Sequence, residues 1–309
     1  MNALRIQHIG SAVACALAFG LKTPYIAIPA GFGLIFQGLI ADNLTQNGMQ
    51  IAVGDIWKSN WFLALAMLTG LLIAVFVTYR KPREYKDIQI SEDTAIQDEE
   101  QSLKFTKSHY LTLVAAFATL GVQLWTNSLP LGALVGLAVI FGTGAIDHKK
   151  MDKLMNEGIG LMGYVAFVML VAAGFALVLK QTGGIESLVQ AASVFMGGSR
   201  LLAATVMLAI GLFITMGIGT SFGTIPILAV LFVPVCAKIG LSIPATVILL
   251  SAAAALGDAG SPASDTTLGP TAGLNADGQH NHITDTCIPT FLHYNIPLII
   301  FAVIAVYIF

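Results

Sequence analysis

Gly257–Asp285 reads GDAGSPASDTTLGPTAGLNADGQHNHITD and follows directly on the apolar run Ser242–Leu256. A second stretch of the same kind, Gly217–Pro226, reads GIGTSFGTIP and follows the apolar run from Leu201. Glycine and proline stop helices and leave backbone groups unpaired, and the Ser and Thr hydroxyls add further oxygens. Lipid tolerates such backbone only where it is buried in protein or faces a watery cavity. Two interruptions of this type in one apolar chain point to a solute site built where helices break.

Composition makes the lipid setting a requirement. Of the 309 residues, 56% are apolar and only 10% charged, against roughly 25% charged in soluble domains. Thirteen of the charges fall within 80–108, so the remainder cannot cover a soluble globule of this length. The fold class is therefore an all-α polytopic membrane protein with about eight to ten transmembrane or re-entrant helices. A crossing needs about 20 apolar residues. Candidate spans are Trp61–Tyr79, His109–Trp125, Leu129–Ile146, Ile159–Leu179, Leu201–Ile218 and Cys287–Phe309. Ile9–Leu21 and Pro24–Ile40 read as two runs separated by Lys22 and Thr23. Ser242–Leu256 and Thr224–Ala237 are too short to cross untilted, and Gly183–Gly198 reads as a surface or re-entrant helix. The chain divides into N-terminal membrane helices (1–79), a charged linker (80–108) and a C-terminal membrane repeat holding the site (109–309).

Lys and Arg in short loops set orientation. The 80–108 and 147–158 loops are rich in them and two crossings apart, so both are expected on the cytoplasmic side of the cell membrane. Net charge −2 and an isoelectric point near 6.3 leave no footprint for nucleic acid. Cys15, Cys236 and Cys287 have no metal-type spacing, so no transition-metal site and no disulfide framework is expected. His280, His282 and Asp285 give only a weak H-x-H pattern. No cleavable signal peptide is expected either.

An enzyme is not expected. Gly257–Asp258 lacks the Gly-x-Gly-Asp form of membrane aspartyl proteases, and no Gly-x-Ser-x-Gly elbow occurs. No phosphate-binding loop occurs, so a driving force must come from an ion gradient or a partner ATPase.

The candidate site residues lie in the two broken stretches. Thr220, Ser221 and Thr224 offer three hydroxyls within five positions, a hard-cation ligand set. Asp258 and Asp265 bracket the segment holding Ser261 and Ser264, with Thr266 following. A carboxylate held in the membrane costs at least ~2.5–3.5 kcal/mol, which makes it a functional candidate. One such group can take a proton and a cation in turn. Asp265 is expected to be the coupling residue, with Asp265→Asn abolishing coupled flux. His293 and Asn295 fall inside the last span and are expected to face a cavity.

GTSFGTIP and GDAGSPASDTTLGPTAGLNADGQHNHITDTCIPTFLHYNIP resemble the C-terminal signature of the NhaC-type Na+/H+ antiporter family, within the ion-transporter superfamily. The resemblance covers most of the chain beyond Phe105. It implies two inverted repeats whose broken helices meet at the midplane, and an ion or substrate role for Thr220, Ser221, Thr224, Ser261, Ser264, Asp265 and Thr266. It implies Na+ or H+ as coupling ion and no other cofactor. Some relatives are regarded as amino-acid permeases, one of them linked to histidine uptake, so a small cation and an amino acid are the alternative substrates. Family members carry further apolar spans ahead of this region, so the resemblance implies an N-terminally shortened chain, with a non-transporting fragment as a third alternative. Partners are the bilayer and the substrate; the sequence is compatible with a homodimer.

Overall fold

The computed structural model describes residues 10–80, 107–126, 128–144, 199–275 and 278–309, with scattered positions between 152 and 194. The described elements are helical throughout. The expected span Ile159–Leu179, the segment Gly183–Gly198, the 147–158 loop and the 80–108 linker lie for the most part outside the described residues.

The chain divides into two units, Met1–Asp87 with Phe167–Phe309, and Ile88–Ala166. The smaller carries α4 (Lys107–Thr126) and α5 (Leu129–Gly142), an antiparallel hairpin. Small residues permit its close approach, with Gly132 and Gly136 set against Gln123 and Thr119.

The larger unit opens with α1 (Gly10–Ala27) and α2 (Phe32–Gln46), a pair bent by 48°. The break lies at residues 28–31 and not at Lys22–Thr23, where the two apolar runs part in the sequence. The helix passes through Lys22 because its ammonium is neutralised inside the protein. It stops where Pro29 removes a donor and Ala30 turns back onto the Ile28 carbonyl at 2.8 Å. Next comes α3 (Val53–Ile73), continued by a π-helical turn over Ala74–Thr78. It starts eight residues before the expected Trp61, taking in Asp55 and Lys58, which pair with each other at 2.6 Å.

α6 (Arg200–Ile218) and α7 (Ser221–Lys238) form a helical hairpin. Ser199 caps α6, and Gly219, with φ +76°, closes it. α7 runs 18 residues, or about 27 Å, longer than the expected Thr224–Ala237, because Ser221 already begins the helix and Pro226 is absorbed within it. α8 (Ile243–Ala255) is 13 residues, about 20 Å, too short for a ~30 Å hydrocarbon core. Every residue from Ala245 to Ala255 is buried. α8 packs against α3, α6, α7 and α10, and its end gives way to a buried non-helical turn. α9 (Asp265–Leu274) follows.

The last helix, α10 (His282–Ile308), contains π-helical turns at His282–Cys287 and Phe291–Asn295. It begins five residues before the expected Cys287, because Asn281 accepts the N–H groups of Ile283 and Thr284, both at 3.0 Å. His280 and Asp285, beside and within its first turn, are buried.

Four described helices are long and apolar enough to cross a membrane, and five if the bent α1–α2 pair is one span. This is the all-α polytopic membrane protein expected from composition.

Two glycines shape the turn after α8. Gly257 has φ +77°, and a Cβ there would meet the Leu212 carbonyl oxygen at 2.5 Å. Gly260 has φ +104°, and a Cβ there would lie 2.5 Å from the Cβ of Phe291. Both positions demand a residue free of left-handed strain. Gly257→Ala is expected to lower the melting temperature in detergent, through about 1–2 kcal/mol of backbone strain plus displacement of α6. An unchanged melt would mean that α6 and this turn do not touch.

Candidate functional site

The turn after α8 delivers Asp258 into the protein interior with 4% of its surface exposed. The carboxylate is held on both oxygens. Oδ2 accepts from Ser221 at 2.7 Å, Tyr25 at 2.9 Å and the Lys22 ammonium at 3.0 Å. Oδ1 accepts a very short hydrogen bond from Ser264. Four separate segments thus converge on one carboxylate: α1, the start of α7, the end of α8 and the cap of α9.

Lys22 is fully buried, and its second hydrogen bond goes to the Ala255 carbonyl at 2.6 Å. That carbonyl belongs to the last residue of α8, where backbone acceptors lack intrahelical partners and the helix dipole is negative; it also accepts from the Ala259 N–H, at a longer 3.4 Å. The ammonium therefore closes a helix end and neutralises Asp258 at once. Lys22 and Tyr25 are three residues apart, which brings both onto one face of α1. The Tyr25 ring packs against Phe36 at 5.1 Å and Phe222 at 5.3 Å, an aromatic wall beside the charges.

Around this core the hydroxyl residues have distinct jobs. Ser264 also caps α9, accepting from the Thr266 N–H at 3.1 Å. Thr266 donates to the Asp258 main-chain oxygen at 3.1 Å. Ser261 donates to the Met216 carbonyl at 3.3 Å and so ties the turn to the end of α6. Asn295 clamps the turn from α10, accepting from the Gly257 N–H at 3.3 Å and donating to the Ala259 carbonyl at 3.1 Å.

The structure brings Asp258, Ser221, Ser264 and Thr266 together, with Ser261 and Asn295 holding the turn that carries Asp258. The other sequence candidates fall elsewhere. Thr224 bonds back to the Thr220 carbonyl at 2.8 Å, an ordinary intrahelical contact, and Thr220 occupies the N-cap position of α7. His293 lies between the Pro289 carbonyl at 2.7 Å and Thr78 at 2.8 Å, fixing α10 to the end of α3. Asp265 is exposed in the first turn of α9, where an acidic side chain complements the helix dipole.

Sequence reasoning missed Lys22 and Tyr25. The signal was present: a single Lys between two apolar runs is an intramembrane ionisable group, and such a group needs a partner.

Among the described residues no group of three or more His, Cys, Asp or Glu could hold a metal ion, so His280, His282 and Asp285 do not converge as one. The arrangement is instead an oxygen cage holding a tethered cation. It comprises the carboxylate, three hydroxyls and a helix-end carbonyl, with the Lys22 ammonium among them.

The family described as the Na+/H+ antiporter family matches residues 16–305. An uncharacterized membrane protein of Vibrio parahaemolyticus is 50% identical over 95% of this chain and 66% of its own length. The "Putative amino acid transporter YuiF" of Bacillus subtilis is 48% identical over 95% of this chain and 66% of its own. An uncharacterized membrane protein of Haemophilus influenzae is 45% identical over 98% of this chain and 68% of its own. The chain thus spans about two thirds of the length of the curated relatives it matches. No solved structure matches it significantly.

Proposed function

Because the chain belongs to the Na+/H+ antiporter family, we propose that it carries out secondary transport in the cell membrane, exchanging Na+ for H+ at Asp258. The observation that supports this reading is the buried Lys22–Asp258 pair at 3.0 Å, ringed by oxygen donors. An alkali cation needs a carboxylate, carbonyl or hydroxyl shell. Asp258, Ala255, Ser221, Ser264 and Tyr25 offer that shell, and the Lys22 ammonium already occupies it.

Exchange follows from competition. A buried charge is tolerated only when paired. When Na+ enters, Lys22 gives up one proton and withdraws as a neutral amine, and Na+ becomes the counter-charge to Asp258. When a proton returns to Lys22, the ammonium expels Na+. The site holds one positive and one negative charge in both states, so one Na+ exchanges for one H+. The exchange rate in proteoliposomes is therefore expected to be unchanged when valinomycin and K+ clamp the membrane potential. A rate that rises steeply with potential would rule out one-for-one exchange.

A second reading has its own support. A zwitterionic amino acid presents one carboxylate and one ammonium, and the pair offers one partner for each; the Bacillus subtilis relative carries an amino-acid transporter name. Proton flux in proteoliposomes, driven first by Na+, Li+ or K+ and then by mixed amino acids, separates the two. Cation-dependent flux supports exchange, and flux seen only with amino acids supports the permease. Asp265→Asn is expected to keep most of the wild-type rate, since its carboxylate is exposed at a helix start. Complete loss in that variant would return the coupling role to Asp265.

A further inference from the structure

We infer that Gln37 and Asn60 form part of a second monovalent-cation site at the end of α1, separate from Asp258. Both side chains are completely buried. Each donates its amide N–H to one carbonyl, that of Ile26, at 3.3 Å from Gln37 and 3.2 Å from Asn60. Ile26 lies in the last turn of α1, where the helix breaks and carbonyls lose their donors. Capping that carbonyl accounts for the two N–H groups and for nothing else. The opposite ends, Gln37 Oε1 and Asn60 Oδ1, have no hydrogen-bond partner among the described residues.

Neither amide can turn over to resolve this, because its oxygen would then face the Ile26 oxygen, acceptor against acceptor. The carbonyl therefore forces two acceptors into the buried space beside the break. Two buried hydroxyls share the condition, Thr23 Oγ1 and Ser251 Oγ. Helical hydroxyls in this protein ordinarily bond the carbonyl four residues back, as in Thr69, Thr119, Thr224, Thr246 and Thr290. Thr23 and Ser251 do not. The four oxygens come one each from α1, α2, α3 and α8. α1, α2 and α3 pack on one another, and α8 packs on α2 and α3.

An unpaired buried polar group is unfavourable, so two amide oxygens locked in this state ask for a donor or a cation. A cation meets that need. The set is neutral, with amide and hydroxyl oxygens and no carboxylate, which suits Na+ and not Ca2+ or Mg2+, whose sites use carboxylates. The C-terminal end of α1 adds negative helix-dipole potential at the same place. Thr23 and Ser251 complete the shell from adjoining helices. Thr23 is next to Lys22, and Ser251 is one turn before Ala255, so this second site adjoins the first.

The test is equilibrium binding of radioactive Na+ to the detergent-purified chain, in which no flux is needed. In Asp258→Asn, which removes the first site's charge, saturable Na+ binding is expected to persist. Adding Asn60→Leu or Gln37→Leu is expected to weaken that remaining binding at least tenfold. Each Leu variant leaves the other amide on the Ile26 carbonyl, so the helix end stays capped. Asn60→Asp keeps one oxygen and adds charge; its melting temperature is expected to rise with NaCl but not with choline chloride. A role confined to capping would leave that variant destabilised equally in both salts. Loss of all Na+ binding in Asp258→Asn, measured below that variant's own melting temperature, overturns the inference, as does undiminished binding in either Leu variant. Binding of methylammonium in place of Na+ overturns it too. Failure of the exchange reading alone would silence proton flux while leaving these binding results intact.

Discussion

Asp258→Asn is expected to eliminate cation-driven proton movement in proteoliposomes and to destabilise the protein in detergent. The substitution preserves size and leaves one oxygen for Ser221 or Ser264, so shape is not what changes. It removes the counter-charge that the described residues give the Lys22 ammonium, which is fully buried and 3.0 Å away. Breaking a buried pair by deleting one member costs about 3–5 kcal/mol, because the remaining charge is left uncompensated. At 1.4 kcal/mol per factor of ten, that is a loss of roughly 100-fold or more in the population holding the cage intact. Transport falls further than stability, because an amide offers no charge to hand between ammonium and Na+. The flux assay is run at a temperature below the variant's own melt. Full activity there would remove Asp258 from the coupling reaction. Asp265→Asn serves as the matched control, carrying the same chemical change seven residues away on an exposed helix start.

The contrast between those two carboxylates marks how far the sequence could be read. The fold class was legible because a chain 56% apolar and 10% charged has few ways to fold. The broken helix was legible too, because Ser242 to Leu256 is short and the Gly, Pro and Ser that follow cannot continue it. What composition could not rank was Asp258 against Asp265. Both flank GSPAS, and the difference is made by Gly257 and Gly260, whose positive φ angles turn residue 258 inward while Ser264 caps a new helix and leaves residue 265 outside. That reversal depends on backbone geometry and not on residue type. Lys22 was hidden by a different mechanism. By sequence it reads as punctuation between two apolar runs, since a lone Lys in an apolar run suggests a helix end at the interface. Only its partner, 236 residues along the chain, lets the helix continue through it. His293 and Asn295 present the converse case, since a His and an Asn inside a span read by sequence as a cavity-facing pair. The two residues divide the work, with His293 fastening α10 to Thr78 and Asn295 clamping the turn that holds Asp258.

Lys22→Met combined with Asp258→Asn is expected to be more stable than either single variant and to transport nothing. Either change alone strands one buried charge; together they leave a neutral pair of similar volume. Replacing a whole buried ion pair is often neutral or stabilising, whereas removing one member costs about 3–5 kcal/mol. The two sites are in direct contact, so their effects are not additive, and the coupling energy read from melts of the four proteins should reach ~1–3 kcal/mol. Two losses limit the recovery, since Met cannot donate to the Ala255 carbonyl and Tyr25 and Ser221 lose a charged acceptor. The double variant should therefore fall short of the wild-type melt while exceeding both singles. Flux separates scaffold from mechanism: if the pair served only to fasten α1 to α8, restoring stability would restore transport. Recovered stability with silent flux instead ties exchange to the charges themselves. Additive melts, with the double variant as unstable as the sum of the singles, would mean that Lys22 and Asp258 do not meet, and the exchange reading would fall with them.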